Sequence, residues 1–519
     1  MTSPAPTTAP TTEAAPTDAG QRSVDVLIIG AGLSGIGAAA RLTRDRPGTT
    51  LAVLEMRDGI GGTWDLFRFP GVRSDTDMFT FSYPFRPWHG ETSMGSGEDI
   101  RRYITETATE FGIDRHIHFR TKVSAADWSS EQQRWTVRAE TDGSPVTWTA
   151  RFLFVCAGYY DYDRGYQPDF PGLADFRGTF IHPQFWPEDL DYTAKRVLVI
   201  GSGATAVTLI PALTENALHV TMLQRSPTYV MALPGVDVVA DVLRRFLPAG
   251  LAHRLLRVKN VLKFQVIYSV SRRAPALARK IIRGVAVGRL QDEAYVDEHF
   301  RPLYNPWEQR LTLAPDGDFY DVIAQKKASV ITGTLDRFVG EGVRLADGTI
   351  VEADIIVSAT GLSMRALGGM ALSIDGRHVD VGSAVTYRAA MISGVPNLAF
   401  VFGYTNSSWT LRSDLSARLV VRLLRYMDKF GYDAATPEPD EDETDLRPFI
   451  DDLSSGYIQR GIAQFPRQGR RKPWQVRQNY LLDLVEALPG NVSRRMRFTR
   501  RSRSAVPTPT TVGAPHQAA

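Results

Sequence analysis

Val24-Asp-Val-Leu-Ile-Ile29-Gly30-Ala-Gly32-Leu-Ser34-Gly35 decides the architecture. Val24 to Ile29 reads as a short aliphatic strand, and the small residues from Ile36 to Leu42 read as a helix, so the glycines occupy the turn between them. Gly30 permits the tight turn, Gly32 lets a pyrophosphate approach the backbone, and Gly35 lets helix and strand pack closely. The helix N-terminus attracts the phosphates. A second strand, Leu51 to Leu54, ends at Glu55, twenty residues after Gly35, where a carboxylate accepts hydrogen bonds from both ribose hydroxyls.

The arrangement recurs once. Arg196 to Ile200 leads into Gly201-Ser202-Gly203-Ala204-Thr205-Ala206-Val207, a helix through Leu213 and the strand His219 to Leu223. Alanine in the third glycine place is a permitted variant. The strand ends on Gln224, Arg225 and Ser226 instead of an acid, so nothing repels a 2′-phosphate and a guanidinium is present to bind one. An acid-terminated site followed by an arginine-terminated site predicts FAD first and NADPH second, with hydride passing to the flavin. The expected fold class is α/β, with two Rossmann-like dinucleotide-binding domains and a helical insertion in the second.

The chain has 519 residues, enough for two or three domains. Its 60 basic and 57 acidic side chains are too balanced for an overall nucleic-acid-binding reading. The lone Cys156, inside an apolar run, reads as a small buried hydrophobe and excludes an intramolecular disulfide, a redox dithiol, a Cys-rich zinc site and a four-thiolate iron–sulfur cluster. No metal site is expected. The Pro/Thr/Ala-rich start lacks the basic and apolar regions of a signal peptide, and the longest uncharged stretch, Val26 to Ala40, is too short to span a bilayer. Cytoplasmic residence is the expectation.

Two further motifs carry a resemblance. Phe176-Arg-Gly178-Thr-Phe-Ile-His182-Pro-Gln-Phe-Trp186-Pro187 resembles the Phe-x-Gly-x-x-x-His-x-x-x-Trp-Pro fingerprint of flavin-containing and Baeyer–Villiger monooxygenases, and it stands just before the second Rossmann strand, as in that family. Gly62-Thr63-Trp64-Asp65-Leu66-Phe-Arg-Phe69-Pro70-Gly71-Val-Arg73-Ser74-Asp75 resembles the motif that sets type I Baeyer–Villiger enzymes apart. The likeness covers most of the chain between its tails. It is closest to the branch containing the mycobacterial ethionamide-activating monooxygenase, through that segment, Tyr304 to Leu311 and Gly403 to Leu411.

The resemblance implies insertion of one oxygen atom from O2 into ketones, giving esters or lactones through a C4a-peroxyflavin, with sulfide or thioamide oxidation alongside. A heteroatom monooxygenase or a peroxide-releasing NADPH oxidase or reductase is the alternative. Arg310 matches the active-site arginine and Asp75 the aspartate that orients it. The cofactor contacts implied or read above are Gly30, Gly32, Ser34, Gly35, Glu55, Gly62, Thr63, Trp64, Asp65, Leu66, Arg73, Ser74, Asp75 and Val123, then Gly201 to Val207 with Arg225 and Ser226. His182 and Trp186 match a hinge motif, so they are read as controlling motion. Gln309 stands where many relatives outside this branch have lysine, which leaves NADPH preference to Arg225. Substrate-pocket walls are expected near Phe79, Trp307 and Trp409.

The expected organisation is a disordered tail over 1–22, an FAD-binding part over 23–160, an NADP-binding domain over 161–355 with a basic helical insertion at 235–300, a returning FAD part over 356–435, an extension over 436–500 and a disordered tail over 501–519. Pro437 to Glu443 reads as a solvated linker, and a helix is expected to begin near Asp414. Between Asp241 and Asp292 there is no acid but twelve Lys and Arg residues, interleaved with Leu251, Leu255, Val258 and Leu262 at helical spacing. A solvated basic face that steers an anionic cofactor is the favoured reading, and peripheral contact with anionic lipid is the other. The arginines from Arg494 to Arg503 read as a solubilising tail.

Overall fold

Strand Arg22–Ile29 is aliphatic on both faces because helices or loops cover both, and Val26, Leu27 and Ile28 have no exposed surface. It lies between Leu51–Leu54 and the long strand Ser144–Val155, parallel to both. That long strand changes its outer partner midway. Its first half pairs antiparallel with Arg134–Thr141, and its last residues pair parallel with Leu398–Phe400, so one strand joins an antiparallel layer to the parallel sheet. The structure, a computed structural model, describes residues 22–501 except 91, 441, 442, 444 and 488–491.

The second sheet is wholly parallel, in the order Ala328–Thr332, His219–Gln224, Arg196–Ile200, Ile355–Ser358, Thr179–Ile181. It lies in sequence between Ser144–Val155 and Ala371–Ile374, both strands of the first sheet, so one α/β unit interrupts the other. Ile355–Ser358 pairs inside the second sheet, so the boundary expected at 355/356 cuts a strand and moves to the strand's C-terminal end.

Helix Leu33–Asp45 packs along helix Trp409–Phe430. The latter begins before the expected Asp414, with Ser408 as its N-cap residue, because Trp409 turns inward and donates from Nε1 to Ser34 Oγ at 2.8 Å. Buried Arg41 clamps the pair by bonding Asp45 and Asp414. The expected linker and solubilising tail are instead partners. Ala434–Pro437 pairs antiparallel with Met496–Thr499, and beyond it Glu438 and Asp440 bind Arg497 and Arg495, so the acidic and basic runs neutralise each other. Both expected tails fall on residues 1–21 and 502–519, outside the described residues, although Arg22 is already in a strand and the Arg501 amide donates to Asp433.

The insertion folds as helices Val238–Phe246, Ala249–Arg273, Pro275–Leu290 and Glu293–His299. Pro248 and Pro275 sit at helix starts, where a missing N–H breaks no bond. Its cations are compensated more than the chain order suggests. Lys259 pairs with Asp237, Arg283 with Glu293 and Asp297, and Arg289 with Asp321. Arg257 turns inward and donates to the carbonyls of Phe79, Thr80 and Ser82. Among the described residues no helix is long and apolar enough to cross a membrane.

His253, one turn before Arg257, is 5% exposed, and its Nε2 lies 3.2 Å from the Tyr83 carbonyl. Burial first, then the Arg257 charge, pushes it down to about 4. Above the ordinary value of 6.5 the ring is neutral folded or unfolded. As pH falls below 6.5 the unfolded chain takes the proton first, so stability drains away until about pH 4, by on the order of 3 kcal/mol. We expect the gap in urea midpoint between wild type and His253→Gln to narrow over that window. Parallel curves would show that His253 is not the titrating group.

Candidate functional site

Each glycine turn is held by backbone that leaves no room for a side chain. Gly30 has φ 101°, and a Cβ there would lie 2.7 Å from the Cys156 carbonyl oxygen. At Gly35 a Cβ would stand 1.8 Å from the Gly30 oxygen, so Gly35 sets the closeness of helix to turn without facing the cavity. Gly201 repeats this at φ 128°, 2.3 Å from the Ala359 oxygen, whereas Gly203 has nothing within 4 Å and faces open space.

One cavity of about 340 Å³ runs from the first turn to the junction between the two sheets. Gly30, Gly32, Ser34, Glu55, Gly62, Thr63, Trp64, Arg73, Ser74, Asp75, Val123, Ala204, Thr205 and Arg310 all line it. Residues expected from two separate fingerprints, from the Gly62 to Asp75 motif and from the Tyr304 to Leu311 segment therefore meet in a single space. Cys156 is buried behind the first turn, and burial pushes its thiol up, so it behaves as packing.

Glu55 lies almost wholly buried at one end. Its two oxygens accept from the Ala31 and Arg57 amides at 2.7 and 2.9 Å. Burial raises its pKa, and the two backbone bonds oppose the rise. Further along, the Thr63 hydroxyl lies 3.2 Å from the Tyr162 hydroxyl, and Trp64 packs edge-on to Phe81.

At the other end Arg310 Nη2 donates to Asp75 at 2.9 Å, joining positions 235 residues apart. The Asp75 charge, acting against burial, holds the guanidinium protonated more firmly than usual. Both side chains keep about a third of their surface, 33% and 30%, and that surface faces the cavity. Three partly buried tyrosines surround the pair. The Tyr159 and Tyr160 hydroxyls are 2.6 Å apart, Tyr159 stacks on Trp409 at 5.1 Å, and Tyr457 closes the wall. Burial raises all three phenols, so they stay neutral donors.

Several expected residues lie elsewhere. Asp65 is 3% exposed and binds Arg57 and Arg68, each at 2.7 Å, and with Leu66 it braces the loop from behind. Ala206 and Val207 face the core of the second sheet, and Gly201, Ser202 and Gly203 form the turn outside the cavity wall. Arg225 and Ser226 are exposed at the end of strand His219–Gln224, and among the described residues Arg225 has no hydrogen-bond or ion-pair partner. Gln224 turns inward to the His299 carbonyl and Thr332. Phe79 is buried beneath Ala240 and Leu256 and is no pocket wall, whereas Trp409 lines the cavity and Trp307 a smaller recess beyond Arg310.

No motif points to the tyrosines, yet the sequence carries a signal for them. Tyr159-Tyr160-Asp161-Tyr162 follows directly on a strand of the first sheet, and ligands of open α/β sheets bind beyond the carboxyl ends of their strands. His182 sits where the two segments joining the sheets touch. Its Nδ1 accepts from the Gln184 amide and its Nε2 meets the Gly361 carbonyl, each at 3.2 Å. Burial lowers its pKa, in keeping with a neutral ring that bridges both crossings.

Fold and site together define a two-dinucleotide flavoprotein with one shared cavity. Residues 23–235 match the flavin-binding monooxygenase-like family. The chain is 47% identical over 480 residues to the FAD-containing monooxygenase EthA of Mycobacterium tuberculosis, covering 92% of this chain and 98% of that protein. It is 49% identical to EthA of Mycolicibacterium smegmatis, over 89% and 94%, and 45% identical to the probable FAD-binding monooxygenase AlmA of Acinetobacter baylyi, over 89% and 93%. Solved structures with the same fold include an oxidised steroid monooxygenase bound to NADP, at TM-score 0.73 and 21% identity over 92% of this chain and 100% of that one. An open form of cyclohexanone monooxygenase gives TM-score 0.67 and 22% identity over 81% and 90%. The chain belongs to the FAD-containing monooxygenases and is an enzyme of that family.

Proposed function

We propose that the protein is an NADPH-dependent Baeyer–Villiger monooxygenase that converts ketones to esters or lactones and also oxidises sulfides or thioamides. The observation that carries this reading is the Arg310–Asp75 pair, set with its charge toward a cavity lined by the first glycine turn and by Ala204 and Thr205 at the start of the helix after the second. The domain division follows from it: a flavin-binding unit in two stretches, and a nicotinamide-binding unit inserted between them.

The residues present fit both cofactors. The first turn has no room for a Cβ at Gly30 or Gly35, brings Gly32 to the cavity wall where a Cβ would lie 3.3 Å from the Gly62 Cα, and is followed by the buried carboxylate of Glu55. The second offers Gly203 facing open space and the guanidinium of Arg225, which has no partner among the described residues. Gly30, Gly32, Ser34, Glu55, Thr63, Trp64 and Val123 would hold FAD, and Gly203, Thr205, Arg225 and Ser226 would hold NADPH. Bound FAD accepts hydride from NADPH and activates O2, which supplies the inserted atom.

This chain's residues supply position and charge. Arg310 places a permanent cation where negative charge develops as oxygen reaches the carbonyl. Asp75 accepts from Arg310 Nη2 and so positions the guanidinium in the site. Trp409 and Tyr159 form an apolar wall that excludes water, and the neutral Tyr160 and Tyr457 hydroxyls orient polar atoms without adding charge. His182 couples the two crossing segments, so it acts on their motion and not on a proton of the substrate.

A product assay with NADPH, O2, a cyclic ketone and an alkyl sulfide tests the reading by mass spectrometry. We expect lactone carrying one atom of labelled O2, together with sulfoxide. Sulfoxide alone would make this a heteroatom oxygenase, and peroxide without either product would make it an oxidase.

A further inference from the structure

The helix Ala249–Arg273 carries an apolar stripe on its outer side. Its buried positions include the polar His253, Arg257 and Asn260, while Leu251, Leu255, Val258, Leu262 and Val266 are 46%, 43%, 57%, 47% and 59% exposed. Spacings of four, three, four and four place those five side chains on one stripe. The two helices packed against it also expose apolar side chains. Val238 and Phe246 are 72% and 74% exposed on one side, and Leu277 and Ile281 are both 51% exposed on the other. Thirteen of the twenty-one exposed large hydrophobic residues among those described fall between Val236 and Ile281, whereas scattered single ones are the norm.

The margins of the stripe are basic. Arg254 lies one turn from both Leu251 and Val258 on one edge, with Arg272 on the same edge, and Lys263 lies on the other. Arg273 and Lys280 extend the charge toward the third helix. These five are exposed, and among the described residues none has an ion-pair partner. No acid occurs from residue 242 to 291.

We propose that helices Val238–Phe246, Ala249–Arg273 and Pro275–Leu290 form a docking surface for an anionic lipid bilayer, lying flat with the aliphatic stripe at the acyl boundary and the cations among the headgroup phosphates. Charge complementarity selects this occupant. A second copy of the chain would bring two unneutralised cationic margins face to face, whereas anionic lipid neutralises them. The helix carries too many charges to span, but an aliphatic stripe edged by Lys and Arg suits the interface. Its inner face, through Asn260, Val261, Phe264 and Ile267, lines the recess that also contains Arg310 and Asp75, so docking sets that recess one helix diameter, roughly 10 Å, from the lipid.

Co-sedimentation of the FAD-loaded protein with vesicles tests the surface. Phosphatidylglycerol–phosphatidylcholine vesicles should pellet it at low salt, and pure phosphatidylcholine should pellet far less. Raising salt to about 0.5 M, where screening acts within a few ångströms, should weaken binding. Leu255→Glu/Leu262→Glu should lower vesicle affinity roughly tenfold or more, through lost apolar burial and added like charge with the lipid. Arg254→Glu/Arg272→Glu should remove the preference for anionic lipid. All four side chains are exposed, and unchanged flavin absorbance and circular dichroism check the fold. Absence of binding to anionic vesicles, or binding that neither double variant alters, overturns the proposal. So does a dimer in gel filtration that the leucine variant dissociates while vesicles pellet neither form.

Discussion

Arg310→Ala is expected to keep its flavin and lose ester formation by about 10²–10³-fold, the range seen when one preorganised stabiliser of developing negative charge is removed from a water-poor site. The residues that would hold the ribose and pyrophosphate of FAD lie at the opposite end of the cavity, around Glu55 and Gly32, so the flavin content of the purified protein should not change. NADPH oxidation should continue with the electrons appearing as hydrogen peroxide, because the cation is placed to favour oxygen transfer over peroxide loss. Asp75→Asn should fall less far: the amide oxygen still accepts from Nη2, but the charge that holds the guanidinium in place is gone. Near-normal ester yield from Arg310→Ala, measured by chromatography against peroxide released, would remove Arg310 from the mechanism.

Arg225→Ala should raise KM for NADPH by roughly 10- to 100-fold and leave KM for NADH within about twofold. A hydrogen bond to a charged group contributes about 1.5–3 kcal/mol, and only NADPH carries the 2′-phosphate that this guanidinium would meet. Because Arg225 is exposed and has no partner among the described residues, the substitution should leave stability nearly unchanged. Steady-state kinetics with both nucleotides checks it. Equal changes for the two would mean the 2′-phosphate is read elsewhere, with Ser226 the nearest candidate.

Legibility in the sequence followed the range of the physics. The glycine turns and Glu55 were readable because a turn, the helix after it and the next strand lie within about thirty residues and obey local steric rules. The position of Arg225, just past the strand His219–Gln224, was readable for the same reason. The meeting of Arg310 with Asp75 was not, since nothing local distinguishes that arginine from one paired to Glu308, and the expectation rested on family likeness alone. Asp65 and Leu66 belong to the same motif as Trp64, yet they turn away from the cavity, because successive residues of a short helical turn point in different directions. Spacing also showed that Leu251 to Val266 form a stripe without showing what covers it. Their exposure, with His253, Arg257 and Asn260 buried on the other side, shows that this stripe faces outward.

The interruption of one sheet by the other has a consequence for the order in which the protein is made. A ribosome delivers Arg22 to Val155 first, but that sheet still awaits Ala371–Ile374 beside Thr121–Ser129 and Leu398–Phe400 beside Ser144–Val155. The inserted sheet has all five strands once Ser358 has emerged. The guest can therefore finish before its host, and the N-terminal strands spend the intervening synthesis with open edges, a state that favours mispairing. The nascent unit is exposed to error while the second dinucleotide site is being built, and it closes only when the chain returns.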